Sequence, residues 1–332
     1  MLVGGVSRWR IAGVASSTIS SGIFSIVEPE AVGNGGDLAV TARSLSLLDG
    51  GQISASTFGQ GNSGDVKVTV EDDLLVDGVG IYPVFYGLLN DRNPSNISNA
   101  VQEFAIGDSG DITVETGNLL LRNGGRITSG TLSEGDAGLI NIEVEASFIA
   151  DGASNDGLVS GVYSNVGSGA IGTGNNINIQ TNQITLTDGG QIVTETSGQG
   201  NAGNVKVVSD SSVLLSGVNA ISGLASRIFT GTNASGLDIP VRGGDISLET
   251  NRLRIEDGAV LDTRTIAEGP GGDVILAANI IELIQGGQVR TTTFGSGNAG
   301  DIIIREANNI LISGSYTSSN QPLSESILLA EP

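Results

Sequence analysis

The stretch "TFGQGNSGDVKV" (residues 57–68) spells G-x-G-x-x-G through Gly59, Gly61 and Gly64. In a dinucleotide-binding turn such glycines let the backbone approach a pyrophosphate, once, between a strand and a helix. Here the stretch returns as "TSGQGNAGNVKV" (196–207) and "TFGSGNAGDIII" (293–304). A recurring motif is read first as a structural repeat. Aligning on the residue before the aliphatic pair of "GDVKV" gives nine anchors: Asp37, Asp65, Asp111, Leu139, Asn176, Asn204, Asp245, Asp273 and Asp301. Their spacings are 28, 46, 28, 37, 28, 41, 28 and 28 residues.

Four positions recur in every unit. The residues one and three after the anchor are aliphatic, from Leu38 and Val40 to Ile302 and Ile304. Ten after it stands Leu or Ile: Leu47, Leu75, Leu121, Ile149, Leu186, Leu214, Ile255, Leu283 and Leu311. Thirteen after it stands glycine, from Gly50, Gly78 and Gly124 to Gly286 and Gly314. The aliphatic pair has the period of a strand, and no helical period competes with it. Each unit predicts three short strands with corners between them, such as "DLAVTA", "SLSLLDG" and "QISASTF". A unit this small cannot bury its own aliphatic face, whereas stacked units bury a continuous column. The expectation is a parallel β-helix rising about 4.8 Å per coil. Glycine at a corner supplies a sharp turn without a Cβ clash, so the G-x-G-x-x-G stretch reads as a corner.

Composition narrows the chemistry. The chain has 332 residues, 36 acidic against 15 basic, for a net charge of −21. Such a chain repels nucleic acid and anionic membranes, so no nucleic-acid partner is expected. The absence of apolar runs of spanning length predicts no membrane insertion. With no histidine and no cysteine, Ser-His-Asp and Cys-His catalysis, His or Cys metal sites and disulfides are all excluded. No catalytic, cofactor-binding or metal-binding residue is assigned.

Several features invite a functional reading. "GNGGDLAV" resembles a calcium-binding nonapeptide, but that motif needs tandem nine-residue spacing and the spacing here is 28. The anchor column forms an Asp/Asn ladder, read as solvated turn carboxylates with weak cation binding left open. The pairs Thr194/Thr196, Thr263/Thr265 and Thr291/Thr293 could order water on a flat face, or simply follow β-branched strand preference. The longer units place extra residues after Gly78, Gly152 and Gly217, giving insertions at about 79–108, 153–173 and 218–243. The longest holds Tyr82, Phe85, Tyr86 and Phe104, a third of the chain's aromatics and the candidate ligand-facing group. Insertions on one side of a solenoid are frequent binding surfaces. The alternative is that these aromatics only cap a gap in the coil.

The repeat "GGQISASTFGQGNSGDVKV…LLVDG" resembles the cyanobacterial type of filamentous haemagglutinin-like exoprotein, the passengers of two-partner secretion. The likeness covers residues 21–314. It implies an all-β fold, a single-stranded right-handed parallel β-helix (β-solenoid) with three short strands per roughly 28-residue coil. Residues 1–20 would form an irregular segment or incomplete coil, and 315–332 an irregular terminal segment. The resemblance further implies a secreted or cell-surface location and an outer-membrane secretion transporter as partner, engaged through regions not seen in this chain. Surface glycans or other cells are the expected ligands, and no cofactor is expected. The family's secretion domain with its Asn-Pro-Asn motifs is not recognisable, and "NPSNI" at 93–97 is a partial echo inside an insertion. The resulting expectation is a non-catalytic adhesin-type or structural rod, a passenger fragment. A carbohydrate-active β-helix enzyme, lyase or hydrolase, and a non-functional fragment are the alternatives.

Overall fold

A computed structural model of the chain describes residues 2–3, 9–12, 20–81, 92–233, 240–317, 324–325 and 327–330. Among these residues there is no helix, and the strands stack in parallel into two large sheets. One sheet of 13 strands is built from long strands such as Val66–Asp77, Ile112–Arg122 and Val274–Ile284. The other, of 10 strands, is built from short ones such as Gln52–Thr57, Arg126–Thr131 and Gln288–Thr293. The chain alternates between the sheets, so each strand pairs with its equivalents one coil before and one coil after. The protein is a β-solenoid.

The first full coil shows the three expected segments as separate strands, Leu38–Ala42, Leu45–Leu48 and Gln52–Thr57. In the coils from Val66 to Ile284 the first two run together as one strand, and neighbours of unequal length slip in register near its middle, as between Thr116 and Asn118. In the last coil they separate again as Ile302–Arg305 and Asn309–Ser313. At the start of the chain, Leu2–Val3 and Trp9–Ala12 pair with Leu38–Ala42 and Leu45–Leu48. Beyond Gly314, Ser315–Tyr316 pairs antiparallel with Ser324–Glu325, and Ile327–Ala330 adds in parallel to Gln288–Thr293.

Register confirms the anchor alignment. Leu38, Val66, Ile112, Ile140, Ile177, Val205, Ile246, Val274 and Ile302 lie in one column. From Leu38 to Val274 these side chains are buried. Each fully buried Val, Leu or Ile contributes about 1.5–3 kcal/mol relative to its exposed state.

The column expected ten residues after the anchor needs a correction. The buried column is Leu47, Val76, Leu121, Ala150, Leu186, Leu215, Ile255 and Leu283, each at most 1% exposed. Leu75, Ile149 and Leu214 are only half-buried, one residue out of phase with it. In the 12-residue strands three residues separate the buried Val70 from Leu74, against two between Thr116 and Leu119 in an 11-residue strand. The extra bend residue is recovered at the next corner. Ordinary coils turn on two left-handed residues, such as Asn123 (φ 49°) and Gly124 (φ 88°), whereas the long coils turn on Gly78, Gly152 or Gly217 alone. Insertion and deletion cancel, which keeps the glycine thirteen residues from the anchor in both coil types.

The extra residues of the long coils divide between two corners. One set follows the glycine as antiparallel excursions: Val79–Ile81 with Arg92–Pro94, Ala153 with Val159, and Val218 with Ala225. A serine closes each of them. Ser95, Ser160 and Ser226 each accept a bond from a glycine N–H one coil back, at 3.0 Å, and donate to a carbonyl of their own coil. The other set widens the corner after the short strand, where Val32, Ile106 and Ile171 bridge in parallel to Gln60, Glu134 and Gln199.

Candidate functional site

The opening G-x-G-x-x-G is a corner. A Cβ on Gly61 would overlap the carbonyl oxygen of Gly33, and one on Gly64 that of Gly36, in the coil before. Glycine is required there because successive corners approach backbone to backbone, leaving no room for a side chain.

The Asp/Asn ladder is consumed in the same corners. Asp37 Oδ1 accepts the Asp65 N–H at 2.9 Å, and Asp65 Oδ1 accepts that of Asp111 at 2.9 Å. Asn204 serves Asp245, Asp245 serves Asp273, and Asp273 serves Asp301 at 2.8–2.9 Å. A second ladder runs from Asn34 through Asn62, Asp108 and Asp136 to the Thr173 N–H. These side chains cap the amides of the next coil, so the acidic corner columns are structural. The first threonine of each T-x-T pair points inward: Thr263 Oγ1 and Thr291 Oγ1 donate to the carbonyls of Gly272 and Gly300 at 2.7 and 2.6 Å. Thr194 does the same to Gly203. A flat, water-ordering threonine face is therefore not formed by these residues.

Of the aromatic candidates, Tyr82, Phe85 and Tyr86 lie outside the described residues. Phe104 is 91% exposed in a left-handed conformation (φ 67°). It sits at the corner after Asn96–Val101, at the other end of that short strand from the Arg92–Pro94 pairing.

Two outward faces remain. The long-strand sheet bends at its register slip, and a groove of 920 Å³ runs there between Arg43, Glu71, Glu115, Glu143, Glu145 and Gln180. Glu115 and Glu143 are register neighbours on adjacent coils. Lys67 Nζ bonds Glu115 at 2.6 Å, and this bond, aided by Thr69, holds the Glu115 carboxyl below the usual range against a smaller opposing effect of burial. Among the described residues no group of three or more acidic side chains is placed to hold a metal ion.

The outer face of the short-strand sheet has the opposite character. On alternate, outward positions it carries Arg126, Tyr163, Val193, Glu195, Arg227, Phe229, Asp262, Arg264 and Arg290. Val159 of an excursion packs with Tyr163, Val193 and Phe229 in a second, external apolar cluster. The Arg126 guanidinium lies 4.7 Å over the Tyr163 ring, and its Nε donates to Val159 O at 3.1 Å. Arg227 and Arg264 both lie over Phe229, at 4.6 and 5.2 Å from the ring centroid. The Phe229 ring leans over Gly231, where a Cβ would meet its edge at 2.7 Å. Asp262, 2% exposed, accepts from Arg290 at 3.0 Å through Oδ2, and its Oδ1 has no partner. Burial pushes the Arg227 guanidinium below the usual arginine range, with Glu195 acting the other way. Burial also raises the Tyr163 phenol.

This face was missed by sequence reasoning. "RIFTGT" (227–232) and "VLDTRT" (260–265) show the arginines, but only register brings them onto one ring. A scan against protein-family models and searches of curated proteins and of solved structures find no match for this chain.

Proposed function

We propose that the protein is a surface-exposed, non-catalytic rod of adhesin or structural type, a passenger fragment of a two-partner secretion exoprotein. In this reading the solenoid winds as a right-handed β-helix with three strands per coil. The observation that supports it is the unbroken register of the aliphatic column from Leu38 to Ile302, with corner side chains capping the neighbouring coil's amides. Such stacking gives a stiff object with only local contacts, suited to folding coil upon coil and to presenting a face. Surface glycans or other cells are the ligands it would meet.

The rival reading, a carbohydrate-active enzyme, draws support from Glu195 and Asp262 standing among arginines and Phe229 on one sheet face. Against it, Asp262 is 2% exposed and already engaged by Arg290. The test is a glycan and cell-surface binding screen with the 332-residue chain, run with a reducing-sugar release assay on each hit. Binding without release is expected. Release of sugar would replace the rod reading with the enzymatic one.

A further inference from the structure

We infer that Arg227 and Arg264, held over the single ring of Phe229, form a binding site for an oxyanion carried on a glycan, the carboxylate of a uronic acid or a sulfate ester. The inference rests on the surface-rod reading for the source of the anion, and on the geometry of this face for the site.

Two guanidinium groups near one ring centroid repel each other, and in this chain that pairing is unexpected on composition, with 15 basic residues against 36 acidic. The other arginines of the same face are engaged: Arg126 with a carbonyl, Arg290 with Asp262 and Gln288. Arg227 and Arg264 have no hydrogen-bond acceptor among the described residues, and the Nε of each is buried and without a partner. The two like charges, neither with a hydrogen-bond acceptor, are held close together, and an anion seated between them relieves the repulsion with charge-assisted bonds. The planar fork of arginine matches carboxylate and sulfate oxygens in pairs.

The surroundings hold the two groups ready. Arg227 shares a strand and a face with Phe229, while Arg264 comes from the next coil, opposite Gly231 in register. Because Gly231 has no side chain, Phe229 can lie along the sheet and offer its face to both cations. Packing of Phe229 against Val159, Tyr163 and Val193 fixes the ring, so little ordering remains to be done on binding. Glu195 and Asp262 both favour the charged form of Arg227, but neither hydrogen-bonds to Arg227 or Arg264, and Asp262 is itself bonded by Arg290.

The polymer class follows from charge. At −21 the molecule repels a dense polyphosphate from a distance, and two guanidiniums do not make the long basic track nucleic acid requires. A glycan with one oxyanion per sugar brings fewer charges to the same two forks.

The experiment measures binding of the full chain to polygalacturonate, dextran sulfate, neutral dextran and duplex DNA by calorimetry at low and high salt. Binding to polygalacturonate, to dextran sulfate or to both is expected, weakening as salt rises, with neutral dextran and DNA inert. The arm that binds identifies carboxylate or sulfate as the ligand group. Arg227→Gln and Arg264→Gln, singly and together, should weaken binding by roughly tenfold or more while far-UV circular dichroism and melting stay close to the parent. Arg43→Gln, on the other sheet and paired with Asp72, should leave binding unchanged. Failure of both acidic polymers to bind overturns the inference, as does binding that survives the double substitution or DNA binding of equal strength. If the surface screen finds ligands whose binding ignores these two arginines, the rod reading stands and only this site falls. If polygalacturonate binds at the arginines and is cleaved, the site stands and the rod reading falls.

Discussion

The coil that begins at Ile112 and the coil that begins at Val66 enclose the same interior with different lengths of chain. The first runs through an 11-residue strand, turns on Asn123 and Gly124, and enters its short strand at Arg126. The second runs through 12 residues, turns on Gly78 alone, and makes an excursion before Asn96. Yet Val66 lies on Ile112, Val76 on Leu121, and Ile97 on Ile127. What the fold holds constant is the inward column, because a gap or overlap there is shared with both neighbouring coils. The number of residues between columns is free wherever a bend or corner faces solvent.

The comparison can be broken most severely inside the long coil. Val76→Asp should cost about 3–5 kcal/mol, since it places an unpaired carboxylate in the central column. Leu75→Asp, one residue away but directed outward, should cost below about 1 kcal/mol. Urea unfolding followed by circular dichroism reads both. If Leu75 proves the sensitive position, the out-of-phase alignment is wrong and the residue count of the sequence was right after all.

Corner glycines should separate in the same way. A Cβ on Gly138 would overlap the carbonyl oxygen of Gly110, so Gly138→Ala forces coils apart and should cost about 2–3 kcal/mol. Gly169, in a widened corner, has open space around it and a φ of 80°, so Gly169→Ala should cost only about 1 kcal/mol, from backbone strain. Equal losses would mean that turn conformation, rather than coil approach, governs both corners.

The smallest effect concerns the turn that follows a regular strand. Burial raises the Asp188 carboxyl above its usual range and nearby Asp151 adds to this, while a bond from Asn219 opposes both. A folded-state value above the unfolded one means that ionisation weakens the fold, with the loss appearing as pH rises through the folded value. Asp188→Asn keeps the left-handed turn and the acceptor for Asn219, so it should gain a few tenths of a kcal/mol, about 0.3, at neutral pH, given the exposure of the group. The difference in melting temperature should vanish below the unfolded value of about 3.9. A gain independent of pH would assign it to backbone preference instead.

Much of this was legible in the chain. The aliphatic pair after each anchor and the glycine thirteen later recur because every coil must present the same inward face and make the same corner. The third aliphatic column misled because leucine and isoleucine are common on both faces of these strands, so Leu75, Ile149 and Leu214 fill an outward position with inward-looking residues. The Asp/Asn column was visible too, although its partners, backbone amides one coil away, were not.

The sequence by itself determined the solenoid, because a period of 28 residues with fixed apolar and glycine positions has few other ways to bury its apolar face. Tertiary structure alone decided what the outer faces do. Arg227 and Arg264 lie 37 residues apart in the chain, and their neighbours on either side give no sign of a shared partner. They meet at Phe229 because coil register sets Arg264 opposite Gly231 and leaves the ring room to lie between them. Register depends on how bends and corners of unequal length cancel, and that is settled only when the coils are stacked.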